Sequence, residues 1–216
     1  AVSLFHYTLI NGNATTNDDE FDGLDKMLAG TTSEFNVATA TSSAIDLSTI
    51  AKIKENADEF YEWLQKLIRY TDADALLMNT NMIAKVQTVA RILGYKTETE
   101  EAFGRKVTSM DGVRFMDLGN HYTVSDSTAT ANAVVKDGLA RKVPTGATAD
   151  VEGLTDIYAV KFDVNDGFHA ATITGNGVIN QYLPDFNKPG AVKDGEVEMV
   201  AAAVLKNTRH AGVLRN

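Results

Sequence analysis

In a chain with no cysteine the imidazole ring is the strongest metal ligand, and the four histidines, His6, His121, His169 and His210, stand far apart. No two of them have the i, i+4 spacing that puts two rings on one helical face. They read as surface or structural side chains. The run Asp18-Asp19-Glu20-Phe21-Asp22-Gly23 opens like a calcium loop, with acids at its first, third and fifth places and glycine at its sixth. Its twelfth place is Ala29 rather than glutamate, so the bidentate carboxylate that closes such a loop is missing and an acidic solvated turn is expected.

Gly175-Asn176-Gly177 lacks the third glycine of a phosphate-cradling loop and leads into Val178-Ile179 rather than a helix, which makes it a hairpin turn. No serine sits in a Gly-x-Ser-x-Gly elbow or a Ser-x-x-Lys motif. Glu98, Glu100 and Glu101 form an acidic run of the kind that covers a solvated face more often than it supplies an acid/base pair. No catalytic, cofactor-binding or metal-ligating residue is expected, and the chain reads as a structural or binding protein rather than an enzyme. A triad or carboxylate pair assembled from distant positions stays open at this level.

The elements that would position any site are only partly periodic. Ile50, Ile53, Ala57, Phe60, Leu64 and Leu67 recur at spacings of three and four, one stripe of a helix that Asp46 or Ser48 can cap. Lys66 and Arg69 suit the negative end of its dipole. Tyr61, Trp63 and Ile68 widen the stripe, so the helix is expected to lie on a sheet. Ala75-Leu76-Leu77-Met78 reads as a short buried strand. A second helix follows, capped by Asn79 or Thr80, faced by Met82, Ile83, Val86, Val89, Ala90 and Leu93, and ended by Gly94.

From Arg105 the period shortens to two, and Val107 and Ser109 lead into a turn at Asp111-Gly112 from which Val113 and Phe115 return. Residues 119 to 153, small and polar with Pro144 among them, are expected as loop, with one short element around Ala133 to Leu139. Strands are expected at Asp156 to Asp163, at Ala170 to Thr174 and, after Pro184 and Pro189, from Glu196. In that last strand Val197, Met199, Ala201 and Ala203 point one way and Glu196 and Glu198 the other. The fold class is α+β or mixed α/β.

The 216 residues suffice for one large domain or two small ones, and the net charge of −9 argues against a generally basic, nucleic-acid-neutralising surface. The absence of cysteine excludes disulfide scaffolds and thiolate metal sites and leaves the redox compartment undetermined. The longest apolar run, Met199 to Leu205, is far short of a bilayer span. Ala1 to Tyr7 lack an initiating Met and a charged region ahead of an apolar stretch, so they do not read as a signal peptide and are expected to be a cut edge.

Taken in order, several segments resemble the major capsid proteins of tailed bacteriophages, the Hong Kong-type shell fold that bacterial encapsulins share. The resemblance begins at Leu9-Ile10-Asn11-Gly12-Asn13 with Phe21-Asp22-Gly23-Leu24, similar to the stretch where the family's spine helix ends. It continues through Ala75-Leu76-Leu77-Met78-Asn79, the helix running to Gly94-Tyr95, Phe103-Gly104-Arg105-Lys106-Val107 and the turn Met110-Asp111-Gly112-Val113. It closes with Asp156 to Asp163 and with the strand from Glu196 into Leu205-Lys206-Asn207-Thr208-Arg209-His210-Ala211-Gly212-Val213-Leu214. The hairpin lacks the family's proline, and the closing segment lacks its proline and aromatic residue.

The resemblance implies an axial domain over residues 31–190 and a peripheral domain from residues 1–30 and 191–216. Val2 to Ile10 would be the end of the spine helix, and the N-terminal arm and extended loop are missing from this chain. It implies a subunit of an icosahedral bacteriophage or prophage capsid, self-assembling into hexamers and pentamers around double-stranded DNA without sequence-specific binding. The expected partners are other copies of itself together with scaffolding, protease, portal or decoration proteins, and no membrane. The expected location is the virion, assembled in the bacterial host cytoplasm. An encapsulin-like compartment is the alternative, and an α/β enzyme with no recognisable motif the third. The stretch from Gly119 to Gly153 would serve as a mobile or contact loop at the capsomer axis. Without the arm and loop that overlap neighbouring subunits, this chain alone is expected to be a monomer or small oligomer. Light scattering checks this, and spontaneous shells would contradict it.

Overall fold

A computed structural model describes residues 2–95, 97–102, 105–125, 128–143, 146–173, 177–184, 190, 192–193 and 195–216. The chain opens with helix α1 (Val2–Asn11) and the short helix α2 (Leu24–Leu28), followed by strand β1 (Glu34–Asn36) and helix α3 (Val37–Thr41). The long helix α4 (Ile50–Thr71), strand β2 (Ala75–Leu77) and helix α5 (Thr80–Leu93) come next. The rest is strands: β3 (Glu98–Ala102), β4 (Arg105–Met110), β5 (Val113–Met116), β6 (Asn120–Ser125), β7 (Thr128–Ala133), β8 (Leu139–Lys142) and β9 (Asp150–Leu154). They continue as β10 (Asp156–Val160), β11 (Phe168–Thr172), β12 (Ile179–Tyr182), β13 (Glu196–Met199) and β14 (Ala201–Leu205), and a 3-10 turn (Thr208–His210) leads into β15 (Ala211–Arg215).

A seven-stranded mixed sheet in the order β1-β15-β10-β2-β5-β4-β3 is the centre of the molecule. Its middle strands are buried on both faces, and their side chains alternate between two cores with the two-residue period of a strand. Leu76, Met78, Ile157, Ala159 and Leu214 face α4 and α5, joining Phe60, Leu64, Leu67, Met82 and Val86. Ala75, Leu77, Tyr158, Val160, Ala211 and Val213 face the other way, onto Ile10 of α1, Leu24 and Leu28 of α2, and Val134 and Val135. Each fully buried Leu or Phe contributes about 1.5–3 kcal/mol. Two strongly periodic helices on one face and shorter pieces on the other make three layers.

The expected stripe of α4 is the buried one from Ile53 to Leu67, but Ile50 is 64% exposed. The cap is Thr49, whose hydroxyl accepts from Lys52 N at 3.3 Å, rather than Asp46 or Ser48. Asp46 instead accepts from Ser48 N at 2.9 Å in a turn just ahead of the helix. Asn79 caps α5 by accepting from Met82 N at 2.7 Å, and Gly94 ends it at φ +78°. The turn at Asp111-Gly112 has positive φ at both residues, as a tight two-residue hairpin requires. It is tied to α4, because Tyr61 Oη and Gln65 Nε2 donate to Asp111 Oδ2 at 3.1 and 3.0 Å. Burial first, and the Asp111 carboxylate second, push the Tyr61 phenol up to about 12, which keeps it a donor.

Residues 119 to 153 are not loop. They contain β6 paired with β7 and β8 paired with β9. These ribbons lack the apolar alternation that marks a strand because most of their side chains face water, and their order comes from backbone pairing. The element expected around Ala133 to Leu139 is a connection whose Val134 and Val135 are buried in the second core while Lys136 to Gly138 are exposed. The acidic run is likewise a strand, β3, at the edge of the large sheet.

The strand expected from Glu196 is two, β13 and β14, divided at Val200. The hairpin expected at Gly175-Asn176-Gly177 does not join consecutive strands. β11 pairs with β14 and β12 with β13, and Gly175 and Asn176 lie outside the described residues, as do Pro144, Pro189 and Phe103-Gly104. β15, which the expected division places with the peripheral part, is hydrogen-bonded between β1 and β10.

Two glycines near the start have a steric reason to be glycine. Gly23 N donates to Gly12 O at 2.8 Å where the chain crosses back over the end of α1. A Cβ on Gly12 would lie 2.3 Å from Phe21 O, and one on Gly23 would lie 2.5 Å from Ile10 O. Gly212 lies under α4, where a Cβ would sit 2.8 Å from Thr71 Cγ2 and 2.9 Å from Leu67 Cδ1. Gly23→Ala is therefore expected to cost about 2–4 kcal/mol in urea unfolding. Gly30→Ala, at φ +73° with nothing within 4 Å, should cost only about 1 kcal/mol.

Candidate functional site

The most concentrated polar chemistry in the molecule lies on the second face of the sheet. Arg215 of β15, its side chain only 11% exposed, donates from Nη1 to Asp25 of α2 at 2.6 Å and to Asp156 of β10 at 2.9 Å. Its Nε donates to Glu34 of β1 at 2.6 Å. Arg141 of β8 grips the same Asp156 with both nitrogens, at 2.7 and 2.5 Å, and Tyr158 Oη donates to Asp25 at 3.0 Å. One guanidinium thereby joins α2, β1 and β10, and a second brings in the β8–β9 ribbon.

Burial alone would raise the Asp25 carboxyl, but the hydrogen bond and charge of Arg215 outweigh it and hold the group below the usual carboxylate range. Burial also works against the Arg215 charge, and the Asp156 and Asp25 carboxylates overcome it. The Tyr158 phenol is pushed well above its ordinary value, first by burial and then by those two carboxylates, so it stays a hydrogen-bond donor. The cavity beside the cluster measures about 60 Å³, room for ordered water but not for a substrate. Its chemistry is that of a tie between elements.

The residues considered from sequence are not brought together. His210 Nε2 meets Asp166 at 2.8 Å, His121 Nδ1 lies 3.3 Å from Ser3 Oγ, and His6 lies beside Phe5. His169, on β11, buries an Nδ1 that has no partner among the described residues. No group of three or more His, Asp or Glu among the described residues could hold a metal ion. The acidic loop turns its oxygens inward: Glu20 accepts from Asn13 N at 3.1 Å, and Asp22 accepts from Ala14 N at 3.0 Å and from Lys26 Nζ at 2.7 Å. The acidic run Glu98, Glu100 and Glu101 lies within strand β3, paired antiparallel to β4.

What the sequence missed is a surface. Among the described residues β12 and β13 pair only with each other, placing Ile179 opposite Met199 and Gln181 opposite Val197 on one side, and Asn180 opposite Glu198 and Tyr182 opposite Glu196 on the other. The ribbon is thus apolar on one side and acidic on the other. Leu183 continues it and is 82% exposed, and Val192 is 79% exposed. The apolar side runs into a hollow of about 280 Å³ formed by Leu4, Phe5 and Phe21 with Val197 and Met199. The alternation from Glu196 to Met199 was legible, but it does not say whether the apolar side faces the chain's own core or water.

A second hollow, about 270 Å³, lies between the 42–48 segment, α5 and the β8–β9 ribbon. Its floor is Ile45, Leu47, Met82 and Leu154, and Lys85 stands on its margin. The side chain of Asn216 closes one end, pairing with both Ile45 N and Ile45 O at 2.7 and 2.8 Å.

No protein-family model matches the sequence, and no curated protein is similar to it. Among solved structures, a chain of the holo-SrpI encapsulin complex from Synechococcus elongatus, determined by cryo-electron microscopy, is similar with a TM-score of 0.56 at 13% identity. The match covers 97% of this chain and 59% of that one, so this chain spans little more than half the length of its neighbour. What the two share is the fold, a mixed α+β architecture with a large sheet of the encapsulin, or Hong Kong, type. No helix among the described residues is long and apolar enough to cross a membrane.

Replacing Arg215 by Met leaves Asp25, Glu34 and Asp156 without their shared cation and is expected to cost about 3–5 kcal/mol at neutral pH. Because the folded Asp25 is held below its unfolded value of about 3.9, its stabilisation is complete above that pH and is lost as pH falls through the lower, folded value. Urea unfolding from pH 7 to pH 2 should show that acid-dependent loss in the parent chain and a reduced one in Arg215→Met.

Proposed function

We propose that this chain is the structural subunit of a closed protein shell, working by self-association rather than by catalysis. The observation that carries the reading is the likeness of fold over nearly the whole chain to a chain of an encapsulin complex. The amphipathic β12–β13 ribbon supports it: a two-stranded ribbon is marginal in water on its own, and one with an apolar side exposed is completed by a partner. Shells repeat one moderate contact in closed symmetry, so each contact can be weak while the particle is durable.

Within that reading two cargoes are distinguished. The ordered sequence resemblance favours a phage or prophage capsid enclosing double-stranded DNA, with the virion as location and scaffolding, protease, portal or decoration proteins as partners. The structural likeness favours an encapsulin-type compartment. In either case the axial part would be residues 31–190, with the two long helices and the β4–β5 hairpin, and the peripheral part residues 1–30 and 191–216.

The test is expression of the complete reading frame that contains these residues, followed by negative-stain electron microscopy and analysis of the particle contents. Closed particles of uniform diameter are expected. Nuclease-protected DNA inside them would select the capsid reading, and a co-purifying protein the compartment. Only small species at high protein concentration would defeat the shell reading altogether.

A further inference from the structure

The apolar hollow floored by Ile45, Leu47, Met82 and Leu154 and the exposed apolar end of the β12–β13 ribbon are separate features of one chain, since no residue lining the hollow belongs to β12 or β13. We infer that they are the two halves of one contact: Leu183 of one copy seats in this hollow on the next copy, with Lys85 of the receiving copy meeting Glu196 of the entering ribbon. The inference rests on the shell reading and names its partner, a second copy of this chain, and the surfaces that meet.

Three observations support it. Leu183 is the most exposed large apolar side chain among the described residues, and it follows Tyr182, whose cross-strand partner is Glu196. The hollow, at about 270 Å³, is slightly smaller than the range typical of small-molecule sites and suits one or two aliphatic side chains on an apolar floor. Charge is complementary. The acids Glu196 and Glu198 border the knob, whereas Lys85, half-buried on the margin of the hollow, makes no ion pair within 4.0 Å among the described residues and acts on Asp46 only at a distance. The Asp46 carboxylate is itself turned into its own backbone by Ser48 N–H. A knob on one surface and its hole on a different surface make a heterologous contact, the kind that closes into rings when the rotation between copies allows. The expected burial is modest, in keeping with a contact that gains strength by repetition.

The test uses the complete reading frame and reads the protein concentration at half-assembly by sedimentation velocity. Leu183→Asp and Lys85→Glu, both surface changes expected to leave thermal unfolding unaltered, should each raise that concentration about tenfold. The double variant Lys85→Glu with Glu196→Lys should recover most of the loss of Lys85→Glu. A double variant as weak as the sum of its parts overturns the pairing. Because the described chain has no cysteine, Leu183→Cys combined with Ser43→Cys supplies a covalent check, as oxidation should yield a ladder of linked subunits that neither single variant gives. Absence of the ladder from assembled particles overturns the contact. If the parent chain assembles and all variants assemble equally, this contact falls and the shell reading stands. If the parent never assembles, both fall together.

Discussion

The large sheet joins β1 to β10 through a five-residue strand, β15, and the Arg215 guanidinium ties that strand to its neighbours. The strand is parallel to β1 on one side and antiparallel to β10 on the other, so it bridges the start and the middle of the chain. Its side chains divide between the two cores, with Val213 to one and Leu214 to the other, while Gly212 leaves the space into which α4 settles. Arg215 then draws in carboxylates from three elements that hydrophobic burial alone would leave free to slide. A buried charge of this kind adds less to stability than to register: any shift of β1, β10 or α2 leaves an unpaired group in a low-dielectric site, and that costs several kcal/mol.

The central strand-cap-helix unit was legible because every local signal agreed: a short apolar run, an asparagine cap, a helical stripe and a terminating glycine. The period change at Asp111-Gly112 was equally plain. The ribbons between residues 119 and 153 were not, because Thr128 to Ala133 alternate only Thr or Asn with Ala, side chains too small and too exposed to mark a buried face. β15 also escaped notice as a strand of its own. Ala211-Gly212-Val213-Leu214 is too short and too uniformly apolar for periodicity, and its role depends on partners up to 190 residues away, such as Asp25. The arginine cluster is invisible for the same reason, since sequence spacing carries no trace of a contact set by topology. On the catalytic candidates the structure adds only that they lie apart: His210, Glu20 and Asp22 are engaged by their own neighbours, whereas His169 Nδ1 has no partner among the described residues.

Under the shell reading proposed above, the contrast between the two-sided core and the ribbons paired, among the described residues, only to themselves is what the fold would use. A shell subunit needs a body that does not deform when pulled from several sides, which the two-sided core and the buried charge tie provide. It also needs surfaces left unfinished in the isolated chain. The ribbon of β12 and β13 is such a surface, with its apolar side chains in water and its backbone paired only to itself. The hollow beside α5 is another. In that reading the net charge of −9 would keep isolated subunits apart at long range and let association depend on a few fitted contacts.

Hydrogen–deuterium exchange of the isolated chain and of assembled particles tests this account most directly, because it reads the rigid centre and the unfinished surfaces in one experiment. Amides of β15, β10 and β2 should exchange slowly in both states, while those of β12, β13 and residues 42–48 should exchange quickly in the isolated chain and slow markedly on assembly. Equal exchange of the ribbon in both states would contradict the claim that it is the surface through which the subunits join.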